Sequence, residues 1–178
     1  MTVTGIAIDA STNNPIILLR DPSRRRQVPI WIDHAQAHNI MAGIKELNTD
    51  TPLCHDLILS LLELGQLKLE KVIIHSIEES SFQAVLKISK TCKENKKPEK
   101  VDDKKLIEIK ARPSDAIALA VRTQCNIWML EEVVAKASIP VDAEADKEDL
   151  NEFKRFIQDS SPSSLISYFE NNNDNDEK

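Results

Sequence analysis

Glycine is scarce in this chain of 178 residues, with three copies at Gly5, Gly43 and Gly65. These positions fit neither a GxxxxGK[ST] nor a GxGxxG loop, so a glycine-rich phosphate-binding loop is excluded. Aromatic residues make up 4% of the chain, which requires an aliphatic core. The same scarcity argues against a single-strand-binding protein built on aromatic stacking platforms.

Cysteine and long apolar runs are also sparse. Cys54, Cys92 and Cys125 are few, odd in number and far apart, so neither a zinc site nor a disulfide framework is expected. No run of about 18 apolar residues exists, which excludes a transmembrane helix. The N-terminus has no basic region followed by an apolar core, so we expect no secretory signal and a cytoplasmic location.

The acidic charge is concentrated at the C-terminal end. The chain has 23 basic and 29 acidic residues, a net charge of -6, yet residues 141–178 alone contain 4 basic and 11 acidic residues. The preceding 140 residues are therefore close to neutral, and a basic face that binds nucleic acid is compatible with the overall charge.

The order of sequence patterns predicts the fold class. Alternating or short apolar runs bounded by turn residues predict strands at residues 2–9, 16–20, 27–32, 67–77, 81–89, 106–111 and 127–130. An apolar stripe predicts a helix after Asp33, with Gln36 completing a capping box. Thr51-Pro52 predicts the start of a second helix and Arg112 that of a third. This order predicts an α+β domain with a largely antiparallel sheet packed with helices.

Composition divides the chain into three segments. We predict a single domain at residues 1–140 and a linker at residues 139–142 that leads to the next segment. A short acidic helical extension is predicted at 141–170, and a disordered tail at 171–178, because NNNDNDEK has no apolar residue to bury.

Two predicted helix starts carry unusual polar residues: Cys54-His55-Asp56 and Arg112-Pro113-Ser114-Asp115. Free backbone N–H groups favour anions at a helix start. His55 and Asp56 point about 100° apart on a helix and are not expected to pair with each other. Pro113 holds Arg112 in an extended conformation, and we predict that Arg112 bridges the two helix starts through Asp56, Asp115 or both. The alternative is that these residues are helix caps and a structural ion pair.

A basic cluster, Arg24-Arg25-Arg26, lies in a predicted turn. One interpretation is a solvated turn between two strands, which the pattern favours. The other is a contact with the phosphates of a nucleic acid.

Several blocks of the sequence together resemble the bifunctional nuclease domain family. They are VPIWIDHAQAHNIMAGI, TPLCHDLILSLLELG, VIIHSIEESSFQAVLKI and, most specifically, IKARPSDAIALAVR followed by IWMLEEVVAKA. The resemblance covers about residues 1–140, and the order and spacing of the blocks agree. It implies a compact α+β domain, usually oligomeric, with RNase and DNase activity. Carried onto this chain, the family's motif positions are His55, Asp56, Arg112, Pro113, Ser114, Asp115 and Ala116.

The sequence departs from the family pattern at three places. Asp33 replaces a glycine that is common after PIWI, Gln36 replaces a frequent acidic residue, and Thr51 replaces an arginine. If the acidic residue at position 36 were a metal ligand, Gln36 would remove a charge from the site. Either this member lacks that metal ligand, which argues against metal-dependent catalysis, or the position is not catalytic in the family.

The function expected from the resemblance is a nuclease that cleaves RNA, DNA or both. His55, Asp56, Arg112, Ser114 and Asp115 are the candidate catalytic residues, with His55 as acid or base, Asp56 or Asp115 as its orienter or a metal ligand, and Arg112 as phosphate clamp. The cofactor is left open, with a divalent metal such as magnesium as one option. RNA or DNA and a second copy of the chain, with a dimer favoured, are the expected partners. The alternative is a non-catalytic regulatory or interaction domain whose polar motif is a structural network.

Overall fold

A computed structural model describes residues 1–46, 51–79, 81–91 and 106–141. The described part has the predicted α+β class, with four helices and two mostly antiparallel four-stranded sheets where one sheet was expected. The predicted tail at 171–178, and all of the predicted acidic extension except Val141, lie outside the described residues. The chain forms two compact units, one made of Thr2–His38 with Ala137 onward, the other of Met1 with Asn39–Lys136.

The first unit contains an antiparallel sheet of four strands. In order across the sheet they are β1 (Thr2–Ile8), β2 (Pro15–Arg20), β3 (Arg26–Trp31) and β8 (Ile139–Pro140). One face of β2 and β3 contains buried apolar residues, as the short aliphatic runs predicted, with Ile17, Leu19 and Val28 inaccessible to solvent. The linker predicted at 139–142 is wrong at its start, because Ile139 and Pro140 pair with Gln27 and Arg26 of β3.

The second unit contains the other four-stranded sheet. The long hairpin of β4 (Leu67–Glu78) and β5 (Ser81–Lys90) forms its centre, β6 (Ile107–Ala111) pairs antiparallel with β5, and β7 (Asn126–Met129) pairs parallel with β4. The order across the sheet is therefore β6-β5-β4-β7. A parallel neighbour needs a crossover connection, and here the chain between β6 and β7 forms a helix. Buried residues on β4 and β5, including Val72, Ile74 and Leu86, alternate with half-exposed residues.

Helices cover this second sheet and supply the polar motif. α2 (Cys54–Leu64) packs against β4, and α3 (Pro113–Thr123) packs against β4, β5 and β7. The small residues of α3 are buried from Ala116 to Ala120, which allows the helix backbone to approach its neighbours closely. α4 (Glu131–Ala137) follows β7. None of the helices in the described ranges is long and apolar enough to span a membrane.

The helix starts show which local predictions were right. α1 (His34–Ile44) begins after Asp33, whose carboxylate accepts the Gln36 N–H at 2.7 Å while the Gln36 amide oxygen accepts the Asp33 N–H at 3.0 Å. The predicted capping box is therefore confirmed. A glutamate at position 36 would make the same bond, so capping alone accounts for a family preference for an acid there. The predicted start of α2 at Thr51-Pro52 is wrong, since Leu53 is the N-cap and Cys54 the first helical residue.

Candidate functional site

His55 and Asp115 join the starts of α2 and α3. The Nε2 atom of His55 lies 3.3 Å from Oδ1 of Asp115, across 60 residues of sequence. An ionised carboxylate only accepts hydrogen bonds, so Nε2 must carry the hydrogen in this contact. The lone pair of the neutral ring is then on Nδ1, which is buried and has no hydrogen-bond partner among the described residues. The His55 side chain is 8% exposed and Asp115 is 31% exposed.

Arg112 binds the same carboxylate from the solvent side. Its Nε donates to Oδ2 of Asp115 at 2.7 Å, and its Nη2 lies 3.3 Å from Oδ1. This two-point contact positions the planar guanidinium of a side chain that is 67% exposed. The Arg112 backbone is extended, with φ -67° and ψ 148°, as the following proline predicted. Asp115 therefore lies between a buried imidazole and an open guanidinium.

Asp56 has a different partner from the one predicted. Its Oδ1 accepts a 2.7 Å hydrogen bond from Nε of Arg122, in the last turn of α3, while its Oδ2 accepts the Leu53 N–H at 3.1 Å. The link between the two helix starts therefore runs through His55 and Asp115. Arg112 contacts Asp115 within the start of α3, and the carboxylate of Asp56 serves Arg122, so these contacts do not form the predicted Arg112 bridge between the two helix starts.

Arg122 is a residue that the sequence patterns did not single out. Its side chain is 7% exposed, and its Nη1 donates to the carbonyl oxygens of Asn39 on α1 at 2.8 Å and of Ala118 at 3.1 Å. A Cβ built on Gly43 of α1 would lie 2.7 Å from Nη1, so the glycine leaves room for the guanidinium. Arg122 thus ties α1 and α2 to α3.

A sequence signal for Arg122 existed. It closes the ARPSDAIALAVR string, seven residues after Asp115 and four after Ala118, and residues at these spacings share one face of a helix. His55 and Asp56 point in different directions from α2, so their partners on α3 lie two turns apart. A buried arginine on a face that is otherwise made of small apolar residues needs a carboxylate partner.

Ser114 lies in the interior rather than at the surface of the motif. It is 4% exposed, although it occupies the second position of α3. The N-cap is Arg112, which makes no side-chain capping bond. The interpretation of Ser114 and Asp115 as N-cap residues is therefore wrong, since Asp115 instead binds His55 and Arg112.

Arg24, Arg25 and Arg26 lie in a turn of the first unit that is organised by Asp21. Its Oδ1 accepts the backbone N–H groups of Arg25 and Arg26 at 3.1 and 3.3 Å, and its Oδ2 lies 3.5 Å from Nε of Arg26. Several hydrogen bonds lower the pKa of the Asp21 carboxyl, and the bond from the Ser23 hydroxyl has the largest effect. Arg24 and Arg25 are exposed. This geometry explains why an aspartate precedes the basic cluster, and it leaves two guanidinium groups accessible to solvent.

A metal centre is not preformed in the part of the chain that the structure describes. No group of three histidine, cysteine, aspartate or glutamate side chains there has the arrangement to hold an ion. Cys54 is exposed. Cys125 is half-buried, and its burial is the main cause of the raised pKa of its thiol. A preformed site of that kind is therefore absent from the described ranges, whereas a magnesium ion held by one or two carboxylates and the substrate phosphates needs no such group.

Comparison with known proteins shows which family the chain belongs to. Two uncharacterized proteins of Mycobacterium tuberculosis, from strains CDC 1551 / Oshkosh and H37Rv, are each 30% identical over 168 residues, covering 90% of this chain and 93% of theirs. The family model of the bifunctional nuclease domain matches residues 17–142, a range that includes His55, Asp56, Asp115 and Arg122. The chain therefore belongs to the bifunctional nuclease domain family.

Proposed function

We propose that the chain hydrolyses phosphodiester bonds of RNA or DNA, with His55, Asp115 and Arg112 as its reactive centre. The observation that carries this proposal is the continuous contact from the His55 ring through the Asp115 carboxylate to the exposed Arg112 guanidinium. Membership of a nuclease-related domain family supports the same reaction class. The substrate would meet Arg112 first, because it is the most exposed group of the three.

Arg112 has the chemistry of a phosphate clamp. A guanidinium offers a planar fork of N–H donors that matches phosphate oxygens in two-point geometry. Two of those donors face Asp115, which fixes the orientation of the fork. A positive charge held in this way would stabilise the charge that develops on a phosphoryl group in the transition state.

His55 and Asp115 form an acid/base pair in this proposal. Asp115 holds the Nε2 hydrogen, so Nδ1 is the atom that accepts a proton from water and returns it to the leaving oxygen. Asp115, and not Asp56, orients the ring, because Asp56 is bonded to Arg122. Nδ1 is buried, so the reaction requires the start of α2 to open toward the phosphate.

A non-catalytic role is the second candidate, and one observation favours it. The His55 ring and the Arg122 guanidinium are each more than nine-tenths buried. Together with Asp115 and Asp56 they hold α1, α2 and α3 to one another, which is what a structural network in a regulatory or interaction domain would do. In that case the exposed Arg112 would bind a partner without any reaction.

Three further properties belong to the proposal. Arg24, Arg25 and Arg26 would contact phosphates of a bound strand. Neutralising all three should then lower the slope of log K against log salt for nucleic-acid binding by up to about three. The chain would form a homo-oligomer, with a dimer favoured, which sedimentation velocity measures directly. Its location would be the cytoplasm.

The test is a cleavage assay with labelled single-stranded RNA and DNA, with and without EDTA, using Arg112→Gln and Asp115→Asn. Both variants should lose activity at least about 100-fold while remaining folded, since a positioned charge or acid/base group contributes about 10²–10⁴-fold. Lys136→Gln, which removes an exposed basic side chain of α4 that has no role in the proposed centre, is the matched control and should retain activity.

The outcomes separate the two candidates. Activity that persists unchanged in Arg112→Gln and Asp115→Asn would come from a contaminant or another site and would contradict the proposed centre. A wild-type protein without activity on either nucleic acid would favour the structural network.

A further inference from the structure

Among the described residues, the sheet of the second unit has one face that is more exposed than the other. The strand pairing places Lys110, Val85, Ile73 and Trp128 side by side in one row across β6, β5, β4 and β7. Since neighbouring strands are about 4.8 Å apart, this row is about 14 Å long. The residues of the row alternate with buried ones along the central strands, and Trp128 is 57% exposed. We name this surface the open face.

A second row on the open face is polar. It consists of Glu108, Lys87, Lys71 and Asn126 on the same four strands. Lys87 forms an ion pair with Glu108. Beyond this row Lys68 pairs with Glu70 at 3.4 Å.

The charge of the open face is opposite in sign to that of the whole chain. The two rows and the adjacent pair contain four lysines and two glutamates, a net charge of +2, on a chain with a net charge of -6. A positive surface with an aliphatic and aromatic centre is complementary to a strand that presents both phosphates and bases.

Trp128 is the residue that distinguishes single strands from duplexes. Trp is highly buried on average in folded proteins, whereas this ring is more than half exposed on a sheet surface. Every unpaired base has a face that stacks on an aromatic ring, and the bases of a duplex are already stacked on one another. Ile73 and Val85 continue the apolar surface next to the ring.

The open face continues toward the proposed reactive centre. Lys110 precedes Arg112 by two residues of extended backbone, which corresponds to about 6–7 Å between their Cα atoms. Side chains at alternate positions of an extended segment project to the same side. A strand bound along the row from Trp128 to Lys110 would therefore lead directly to Arg112.

We infer that the open face is a binding platform for single-stranded nucleic acid, in which Lys71 and Lys110 contact phosphates and the single ring of Trp128 stacks a base. The scarcity of aromatic residues argues against a surface with several stacking rings, and this platform needs one. The inference rests on the proposed function only for the cleavage step after binding, because it assigns the surface that delivers the strand to Arg112. Binding itself needs no reaction and is measured with EDTA present.

The first test measures the affinity of the full-length protein for a labelled 15-nucleotide oligothymidylate by fluorescence anisotropy. Trp128→Ala should weaken binding about 5- to 160-fold, the effect of losing one stacked base, and Trp128→Phe should retain most of the affinity. Trp31→Ala is the matched control, because Trp31 is equally exposed, at 56%, on a strand of the first unit. A 15-base-pair duplex should bind the wild type more weakly than the single strand.

The second test measures the salt dependence of the same binding. The double variant Lys71→Gln, Lys110→Gln should lower the slope of log K against log salt by about 1.4, the value for two phosphate contacts on a single strand. The control is Lys90→Gln, Lys136→Gln, which removes two exposed lysines away from the open face. Lys90 is on β5, where its side chain alternates with those of Lys87 and Val85.

Several results would overturn the inference. They are an undetectable affinity of the wild type for the oligonucleotide, an affinity of folded Trp128→Ala within twofold of wild type, or an unchanged salt slope in the lysine variant. Dissociation of a wild-type oligomer by the Trp128 variant in sedimentation velocity would instead assign the face to a second copy of the chain.

The proposed function fails in a different way. Strand binding that depends on Trp128 but is followed by no cleavage would refute the nuclease and leave the platform standing. Cleavage that is lost in Arg112→Gln but unaffected by Trp128→Ala at subsaturating substrate would refute the platform and leave the nuclease standing.

Discussion

Removing the Arg122 side chain should destabilise the protein far more than removing that of Arg112. The Arg122 guanidinium is buried and bonded to Asp56, Asn39 and Ala118. Loss of one partner of a buried ion pair costs about 3–5 kcal/mol. Asp56 is 36% exposed and keeps its bond to the Leu53 N–H, so water can solvate part of its charge, and we expect about 2–4 kcal/mol for Arg122→Ala.

Urea unfolding followed by far-ultraviolet circular dichroism measures this difference. Arg112→Ala is the matched control, because its pair with Asp115 is an exposed one between residues three apart and should cost under about 1 kcal/mol. In thermal unfolding, Arg122→Ala should lower the Tm by about 5–15 °C for a chain of this size.

Gly43 provides a second, independent probe of the same contact. In the wild type, Gly43→Ala places a Cβ 2.7 Å from Nη1 of Arg122 and should displace the guanidinium, at a cost of about 1–3 kcal/mol. In the Arg122→Ala background the same change meets no guanidinium and should stabilise α1 by up to about 1 kcal/mol, because alanine favours a helix over glycine. The sign of the Gly43→Ala effect should therefore reverse between the two backgrounds.

Two results would refute this reasoning. An Arg122→Ala cost below about 1 kcal/mol would show that the pair with Asp56 contributes little. A Gly43→Ala effect that is the same in both backgrounds would show that Gly43 and Arg122 are not coupled.

Three smaller predictions concern other parts of the chain. The pKa of Asp21 is lowered, mainly by the Ser23 hydroxyl, so its contribution to stability is present above about pH 4 and is lost as the pH falls further. The difference in unfolding free energy between wild type and Asp21→Asn should therefore be larger at about pH 6 than at about pH 2.5. An equal difference would contradict the lowered pKa. Cys54 is exposed whereas burial raises the pKa of Cys125, so iodoacetamide at neutral pH should label Cys54 before Cys125 in a peptide map, and faster labelling of Cys125 would show that it is accessible as a thiolate. Deletion of residues 171–178 should change the Tm by less than about 2 °C, and a larger drop in a thermal scan would show that this segment docks on the fold.

Local features of the sequence predicted most of the fold. The strands of the long hairpin, the α1 capping box of Asp33 and Gln36, and the extended backbone of Arg112 before Pro113 all depend on residues close together in the chain. The start of α2 was placed wrongly because Thr51-Pro52 has good capping chemistry, yet Leu53 is the N-cap and its N–H binds Asp56. The strand at Ile139 was missed because two residues carry no periodic pattern.

The candidate site was found only in part. The ARPSDAIALAVR and HDL strings identified the two helix starts. Asp115 was one of the two partners predicted for Arg112, but the pair lies within one helix start and does not bridge two. Arg122 was missed because an arginine near the end of a helix is usually a solvated residue that complements the helix dipole. Its burial depends on Gly43, which comes from another helix.

By itself the sequence determined the fold class, most element bounds, the family and the residues available for chemistry, because each of these depends on local patterns. The tertiary structure alone decided which side chain each carboxylate binds. His55 meets Asp115 across 60 residues and Asp56 meets Arg122 across 66, and neither pairing leaves a trace in local periodicity. The physical reason is that neighbouring residues of α2 point in different directions, so the packing of α2 against α3 assigns each one a partner at a different turn.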